Sequence, residues 1–214
     1  MKKVKVSPSI LSADFANMGE AIQKTEKWGA NYIHCDVMDG VFVNNITFGM
    51  PMIKAIKKYT SLPLDVHLMI VSPEKYVDRF VDAGANIITF HPNVCENVVE
   101  TLRRIRARGV KAGLVVNPDV PISSIAKYID EIDILLLMSV FPGFGGQKFI
   151  ESVFDKIHEA KALIGNRDIE LEIDGGITVE NVEKVTNAGV NVVVAGSAVY
   201  NVEDPKEAIK LLKR

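Results

Sequence analysis

The chain has 214 residues, is 48% hydrophobic and carries a formal net charge of −2. That length and apolar content suit one large α/β domain with a full core, since α/β barrels commonly reach this size as a single unit. The near-neutral balance gives no basis for nucleic-acid or membrane-surface binding, and no apolar run reaches the length of a membrane span.

Taken in chain order, Met1-Lys2-Lys3-Val4 runs directly into a first strand over 5–10, leaving no room for a signal peptide; the expectation is a cytoplasmic protein. Further Val/Ile/Leu-rich runs follow at 32–37, 64–70, 87–91, 111–117, 134–140, 169–174 and 191–196. They read as strands buried on both faces. In the second, side chains two apart share a face, so His34 and Asp36 point one way. Cys35 points the other way, under the helices. Cys35 and Cys95 fit neither a disulfide framework nor a zinc spacing and read as reduced thiols.

Amphipathic segments separate the strands. The one beginning Pro73-Glu74-Lys75 is expected to start as a helix with Ser72 as its N-cap. Gly29, Gly84, Gly109 and Gly189 stand where helices end and strands begin, as C′ glycines do. Arg103, Arg104, Arg106 and Arg108 read as a solvated helix end favoured by the dipole. Eight strand–helix units predict an α/β fold, a single (β/α)₈ TIM barrel spanning residues 1–214. A doubly wound sheet is the rival, but no G-x-G-x-x-G follows the first strand.

In such barrels the active site lies at the C-terminal strand ends. Ser9, His34, Asp36, His67, Met69, His91, Met138 and Asp174 fall there. Alone, each has an ordinary structural role: a hydrogen-bonded core histidine, a helix-capping aspartate, a core methionine. Their convergence is what makes a site. His34, Asp36, His67 and Asp174 can together hold one divalent ion. Two nitrogens and two oxygens suit Zn²⁺, Fe²⁺, Mn²⁺ or Co²⁺ better than Mg²⁺ or Ca²⁺. The same carboxylates can place two acid/base groups around one carbon. His91, followed by Pro92, is expected outside the direct ligand set.

Glycine marks a second region. Pro142-Gly143-Phe144-Gly145-Gly146-Gln147, Asp174-Gly175-Gly176 and Gly196-Ser197 follow the last three strands. Backbone N–H groups there can approach phosphate oxygens. No Walker A sequence is present, so a nucleotide P-loop is not expected.

From Ser7-Pro8-Ser9-Ile10-Leu11 to Ala195-Gly196-Ser197-Ala198 the sequence resembles the ribulose-phosphate 3-epimerase family. The specific pieces are His34-Cys35-Asp36-Val37-Met38-Asp39-Gly40, Asp65-Val66-His67-Leu68-Met69, the glycine loop after strand six, and Glu172-Ile173-Asp174-Gly175-Gly176. The resemblance implies a barrel of the ribulose-phosphate-binding type. It implies one divalent transition metal per subunit on His34, Asp36, His67 and Asp174, with Asp36 and Asp174 as the acid/base pair. It assigns substrate binding to Ser9, His67, Gly143, Phe144, Gly145, Gly146, Asp174, Gly175, Gly176, Gly196 and Ser197. The substrate implied is a small ketose phosphate, and the assembly a homo-oligomer. The chemistry agrees: epimerisation beside a carbonyl removes a proton from one face and returns it to the other, through a flat enediolate. Met38, Met69 and Met138 would line that intermediate with polarizable sulfur.

Val41, Asn44 and Phe141 depart from the family pattern. His91-Pro92-Asn93-Val94-Cys95 is more like allulose-6-phosphate 3-epimerases, whereas the glycine motifs are of the ribulose-phosphate type. An orotidine-phosphate-type decarboxylase would need D-x-K-x-x-D, and Asp36-Val37-Met38-Asp39-Gly40 has no lysine. A Schiff-base aldolase would need a lysine late in a strand, and Lys111 begins one. A non-catalytic sugar-phosphate-binding barrel is opposed by the intact Asp36 and Asp174. Finally, Lys5, Asp65 and Glu172 should point inward beneath the site, where Lys5 is expected to pair with Glu172, Asp65 or both.

Overall fold

The computed structural model describes residues 3–214, so Met1 and Lys2 of the expected run into the first strand lie outside the described residues. Eight strands form one parallel sheet: β1 (Lys5–Pro8), β2 (Ile33–Met38), β3 (Leu64–Met69), β4 (Ile87–Phe90), β5 (Lys111–Val116), β6 (Ile134–Met138), β7 (Glu170–Asp174) and β8 (Val192–Ala195). From β2 to β8 each strand pairs with its sequence neighbours, and β1 pairs with β8. A bridge between Ser9 and His34 brings β1 against β2, so the ring nearly closes. Helices α1 (Met18–Lys27), α2 (Met50–Ile56), α3 (Val77–Ala83), α4 (Val98–Ala107), α5 (Val153–Ile164), α6 (Val182–Ala188), α7 (Ser197–Tyr200) and α8 (Pro205–Leu211) lie in the connections. Between β5 and β6 stands a run of 3₁₀ turns, Ile122–Glu131. Its buried Ile122 and Ile125 are three apart, the spacing that a three-residue turn keeps on one side. No helix among the described residues is long and apolar enough to cross a membrane.

Strand parity divides the core. Outward-facing Val6, Cys35, Val66, Ile88, Leu114, Leu135, Ile173 and Val193 join the helices in one continuous apolar shell. Cys35 therefore packs where its parity puts it, and both cysteines are free thiols. Inside the ring, Tyr32, Ile87, Ile134 and Val192 form a layer from the even strands. Fully burying such a side chain contributes about 1.5–3 kcal/mol.

Gly29, Gly84, Gly109 and Gly189 all take positive φ, as C′ positions require. Ser72 does not cap a helix with its side chain. It sits in the left-handed region at φ 50°, Pro73–Lys75 is one 3₁₀ turn, and α3 begins only at Val77. The arginines of α4 are paired rather than merely solvated. Arg103 meets Glu131, Arg104 meets Asp78, and Arg108 meets Asp82 at 2.7 Å. Such exposed pairs add little to stability, because water and salt screen them.

The expected pairing of Lys5 with Glu172 or Asp65 is not found. The Lys5 ammonium donates to Glu170 and to the Tyr32 hydroxyl, the latter at 2.6 Å. Lys111 joins at 3.1 Å from the other Glu170 oxygen. Lys5 and Glu172 do flank the same residue, Val192, in the hydrogen-bond register. Barrel strands are tilted, however, so equal register is not equal height. The lysine side chain turns down to the open floor, 37% exposed, and Glu172 stays sealed above it.

Candidate active site

β2 ends with His34 and Asp36 on its inner face, both buried. β3 adds His67, and β7 adds Asp174. The four side chains converge. His34 Nε2 lies 3.3 Å from Asp36 Oδ1 and 4.0 Å from Asp174 Oδ2, and His67 Nδ1 lies 3.3 Å from Asp36 Oδ1. One donor atom from each residue falls within 4.8 Å of all the others. His34 Nε2, Asp36 Oδ1 and His67 Nδ1 are buried without a hydrogen-bond partner. Orphaned polar atoms cost free energy unless something satisfies them. Two imidazole nitrogens and two carboxylate oxygens facing one point fit a divalent transition metal.

The far side of each ring is held. His34 Nδ1 lies 2.7 Å from Asp65 Oδ2, and His67 Nε2 lies 3.0 Å from His91 Nε2. His91 stands outside the cluster, with its ring against Phe42 at 4.5 Å between centroids. Ser9 Oγ donates to Asp36 Oδ2 at 2.6 Å, and Thr47 Oγ1 donates to the Asp36 carbonyl at 2.6 Å.

The electrostatics divide the two carboxylates. Burial works against ionising Asp36, but the adjoining His34 and His67 hold it well below the ordinary carboxylate range. Asp174 is pushed up to about 7 by burial and by the negative charge of Asp36. Burial also opposes charge on His34, yet Asp65 and Asp36 raise it well above the usual imidazole value. Burial, reinforced by His67, keeps His91 well below that value.

Above the cluster opens a cavity of about 340 Å³. Ser9, Asp36, Met38, Met69, Met138 and Asp174 line it on the barrel side; Gly143, Phe144, Gly145, Gly146, Gly175, Gly176, Gly196 and Ser197 line it on the loop side. His34 and His67 are sealed beneath it, and His67 directs its two nitrogens to Asp36 and His91. At Gly176 φ is 64°, and a Cβ would stand 2.5 Å from the Phe149 nitrogen. Backbone packs against backbone there, which only glycine permits. Gly196 and Ser197 open the short α7, a placement used for phosphate in barrels of this kind.

Three contributors lay outside the sequence reading. Ser12 lines the cavity, and a Cβ on Gly196 would come within 2.5 Å of its Oγ. Gln147 donates to the carbonyls of Phe141 and Phe144, and Asn45 donates to that of Gly143, each at 2.8 Å. These amides pin the glycine loop. Ser12 ends a single 3₁₀ turn, Ile10–Ser12, and Asn45 lies in irregular backbone, and neither stretch is long enough for a periodicity to announce a facing side chain. Gln147 was visible only as the last letter of a glycine motif. Of the departures from the family pattern, Val41 and Asn44 face solvent, while the half-exposed Phe141 reaches the cavity rim.

Fold and site together define an enzyme-type (β/α)₈ barrel, with acid and histidine groups at the C-terminal strand ends beneath a glycine-lined mouth. Its shape is shared with tryptophan synthase α-subunit structures from Pyrococcus furiosus, with a TM-score of 0.71 at 17% identity over 100% of this chain and 96% of that one. That likeness concerns the fold alone. A ribulose-phosphate 3 epimerase family model matches residues 5–200. Ribulose-phosphate 3-epimerase of Bacillus subtilis is 49% identical over 98% of both chains. The Escherichia coli K12 protein of that name is 46% identical over 98% of this chain and 94% of its own. The chloroplastic protein of Arabidopsis thaliana is 48% identical over 97% of this chain and 75% of its own. The chain belongs to the ribulose-phosphate 3-epimerase family and is an enzyme of the isomerase class.

Proposed function

We propose that this barrel interconverts D-ribulose 5-phosphate and D-xylulose 5-phosphate by moving a proton at C3. The observation that carries the reading is the pair Asp36 and Asp174, two carboxylates from separate strands, one buried and one half-buried, that meet at the floor of one cavity and are poised apart in acidity. Pairs of this kind mark the acid and base of a proton transfer. One carboxylate takes the C3 proton from one face of the ketose phosphate, leaving an enediolate. The other returns a proton to the opposite face, and the roles exchange with reaction direction. No other bond is made or broken.

His34, Asp36, His67 and Asp174 would hold one divalent metal, Zn²⁺, Fe²⁺, Mn²⁺ or Co²⁺, supported by the orphaned donor atoms that meet there. Such an ion supplies Lewis-acid stabilisation of the negative charge that develops on the substrate oxygens. Ser9 orients Asp36 through its hydroxyl. Met38, Met69 and Met138 keep the floor apolar, so the planar intermediate is shielded from water. Gly143, Phe144, Gly145, Gly146, Gly175, Gly176, Gly196 and Ser197 receive the phosphate end. The 1–214 chain acts as one catalytic domain, cytoplasmic and homo-oligomeric, with a small ketose phosphate as its partner.

The test is turnover in D₂O followed by NMR at C3. Xylulose 5-phosphate should form with deuterium at C3. Product without solvent label would mean internal hydride transfer, and the two-carboxylate model would fall. The same incubation with allulose 6-phosphate reads the substrate range, and faster turnover there would move the assignment to the six-carbon ketose.

A further inference from the structure

The interior of a (β/α)₈ barrel is usually filled with branched apolar side chains. Directly below the cluster this one carries polar groups instead: Ser7, Asp65 and Glu172, from β1, β3 and β7, all fully buried. A buried carboxylate is costly unless it is hydrogen-bonded. Asp65 Oδ2 receives two contacts, from Ser7 Oγ at 2.9 Å and from His34 Nδ1 at 2.7 Å. Glu172 closes the group, its Oε1 3.9 Å from the same His34 nitrogen. Asp65 does not reach the cavity, so it touches neither substrate nor reacting atoms.

An imidazole can offer either nitrogen to a metal, and the hydrogen bond made by the other nitrogen decides which. We propose that Asp65, held in place by Ser7, is the positioning residue that keeps the proton of His34 on Nδ1 and so presents Nε2 to the metal. The inference rests on the metal site proposed above. It adds that the grip on the metal is set one level below the ligands, by groups that take no part in proton transfer. His34 is fully buried, and the contact of its Nδ1 to Asp65 sets ring orientation and tautomer together.

The experiment uses Zn²⁺ alone, with no substrate, on the wild-type chain, Asp65→Asn and Ser7→Ala. Competition titration gives affinity, and NMR of the imidazole nitrogens gives the ligating atom. In wild type, His34 should bind through Nε2 and keep its Nδ1 proton. Asp65→Asn should weaken Zn²⁺ binding by about 10–100-fold, the usual effect of removing a ligand's outer partner. Ser7→Ala should shift affinity the same way by less, because only one of the two contacts to Asp65 is lost. Thermal unfolding shows whether Asp65→Asn stays folded; if it does not, the wild-type spectrum and Ser7→Ala still decide. His34 bound through Nδ1, or Zn²⁺ affinity unchanged in the folded variants, overturns the proposal while leaving the metal site standing. Failure of wild type to take up Zn²⁺, Fe²⁺, Mn²⁺ or Co²⁺ overturns the metal reading itself, and this proposal with it.

Discussion

At the residue scale the site is two carboxylates kept in different states by their neighbours. Asp36 is held down by His34 and His67, whereas burial and Asp36 raise Asp174 to about 7. Asp174→Asn keeps the side-chain shape and removes the carboxyl that the proposed mechanism uses to exchange the proton. Turnover should fall by about 10²–10⁴-fold, the range that a positioned acid or base contributes. Inhibition by inorganic phosphate should persist, because the glycine end is untouched. Steady-state turnover in both directions, with the phosphate inhibition constant, checks this. Near-normal turnover in the variant would remove Asp174 from the mechanism. Much of this scale was legible beforehand. The i, i+2 spacing in Tyr32-Ile33-His34-Cys35-Asp36 separates two inward groups from one outward thiol, and the structure keeps that division. Charged Asp65 and Glu172 inside apolar runs also announced an inward polar group. Their partner was not legible, because strand tilt decides which inward residues share a height. Tilt leaves Lys5 at the floor and gives Asp65 to Ser7 and His34.

At the element scale, strands were readable because both faces are buried and the runs are continuous, while connections were readable only where glycine or proline marks them. The four C′ glycines were placed correctly, whereas the left-handed Ser72 carries no compositional mark and misled the helix start. The loop between β6 and α5 is the element on which the proposed substrate capture depends. It is pinned by Gln147 and Asn45 and packs backbone to backbone on Gly176. Gly176→Ala inserts a methyl 2.5 Å from the Phe149 nitrogen at a φ of 64°. The left-handed backbone alone costs about 1–2 kcal/mol for a non-glycine residue. The loop must also retreat, so KM for the ketose phosphate should rise by on the order of tenfold or more, with a smaller change in turnover at saturation. Michaelis parameters measured beside the unfolding midpoint separate the two effects. An unchanged KM would mean that the Gly175-Gly176 turn does not receive the phosphate.

At the scale of the whole molecule the barrel divides its polar interior between two ends, chemistry at the C-terminal rim and an ion-paired floor at the other. The apolar layer of Tyr32, Ile87, Ile134 and Val192 lies within the ring as part of that separation. Glu170 is the centre of the floor. Burial works against ionising it, but Lys5 and Lys111 outweigh that and hold its pKa below the ordinary glutamate value. A group depressed in the folded state stabilises above its unfolded pKa and loses that contribution as pH falls through the folded one. Glu170 should therefore stabilise the barrel fully above about pH 5, and progressively less on acidification below the unfolded glutamate value of about 4.3. Glu170→Gln should cost about 1–3 kcal/mol at neutral pH, as expected for lost hydrogen bonds to charged groups. The gap to wild type should narrow toward zero in acid, where the native carboxylate is itself protonated. Turnover should not change, because the pair sits at the opposite end of the barrel from Asp36 and Asp174. Denaturant unfolding of both proteins across the acid range decides the matter. A gap that stays constant with pH would show that Glu170 contributes by packing against Tyr32 rather than by charge, and the floor would then be a steric plug and not an electrostatic one.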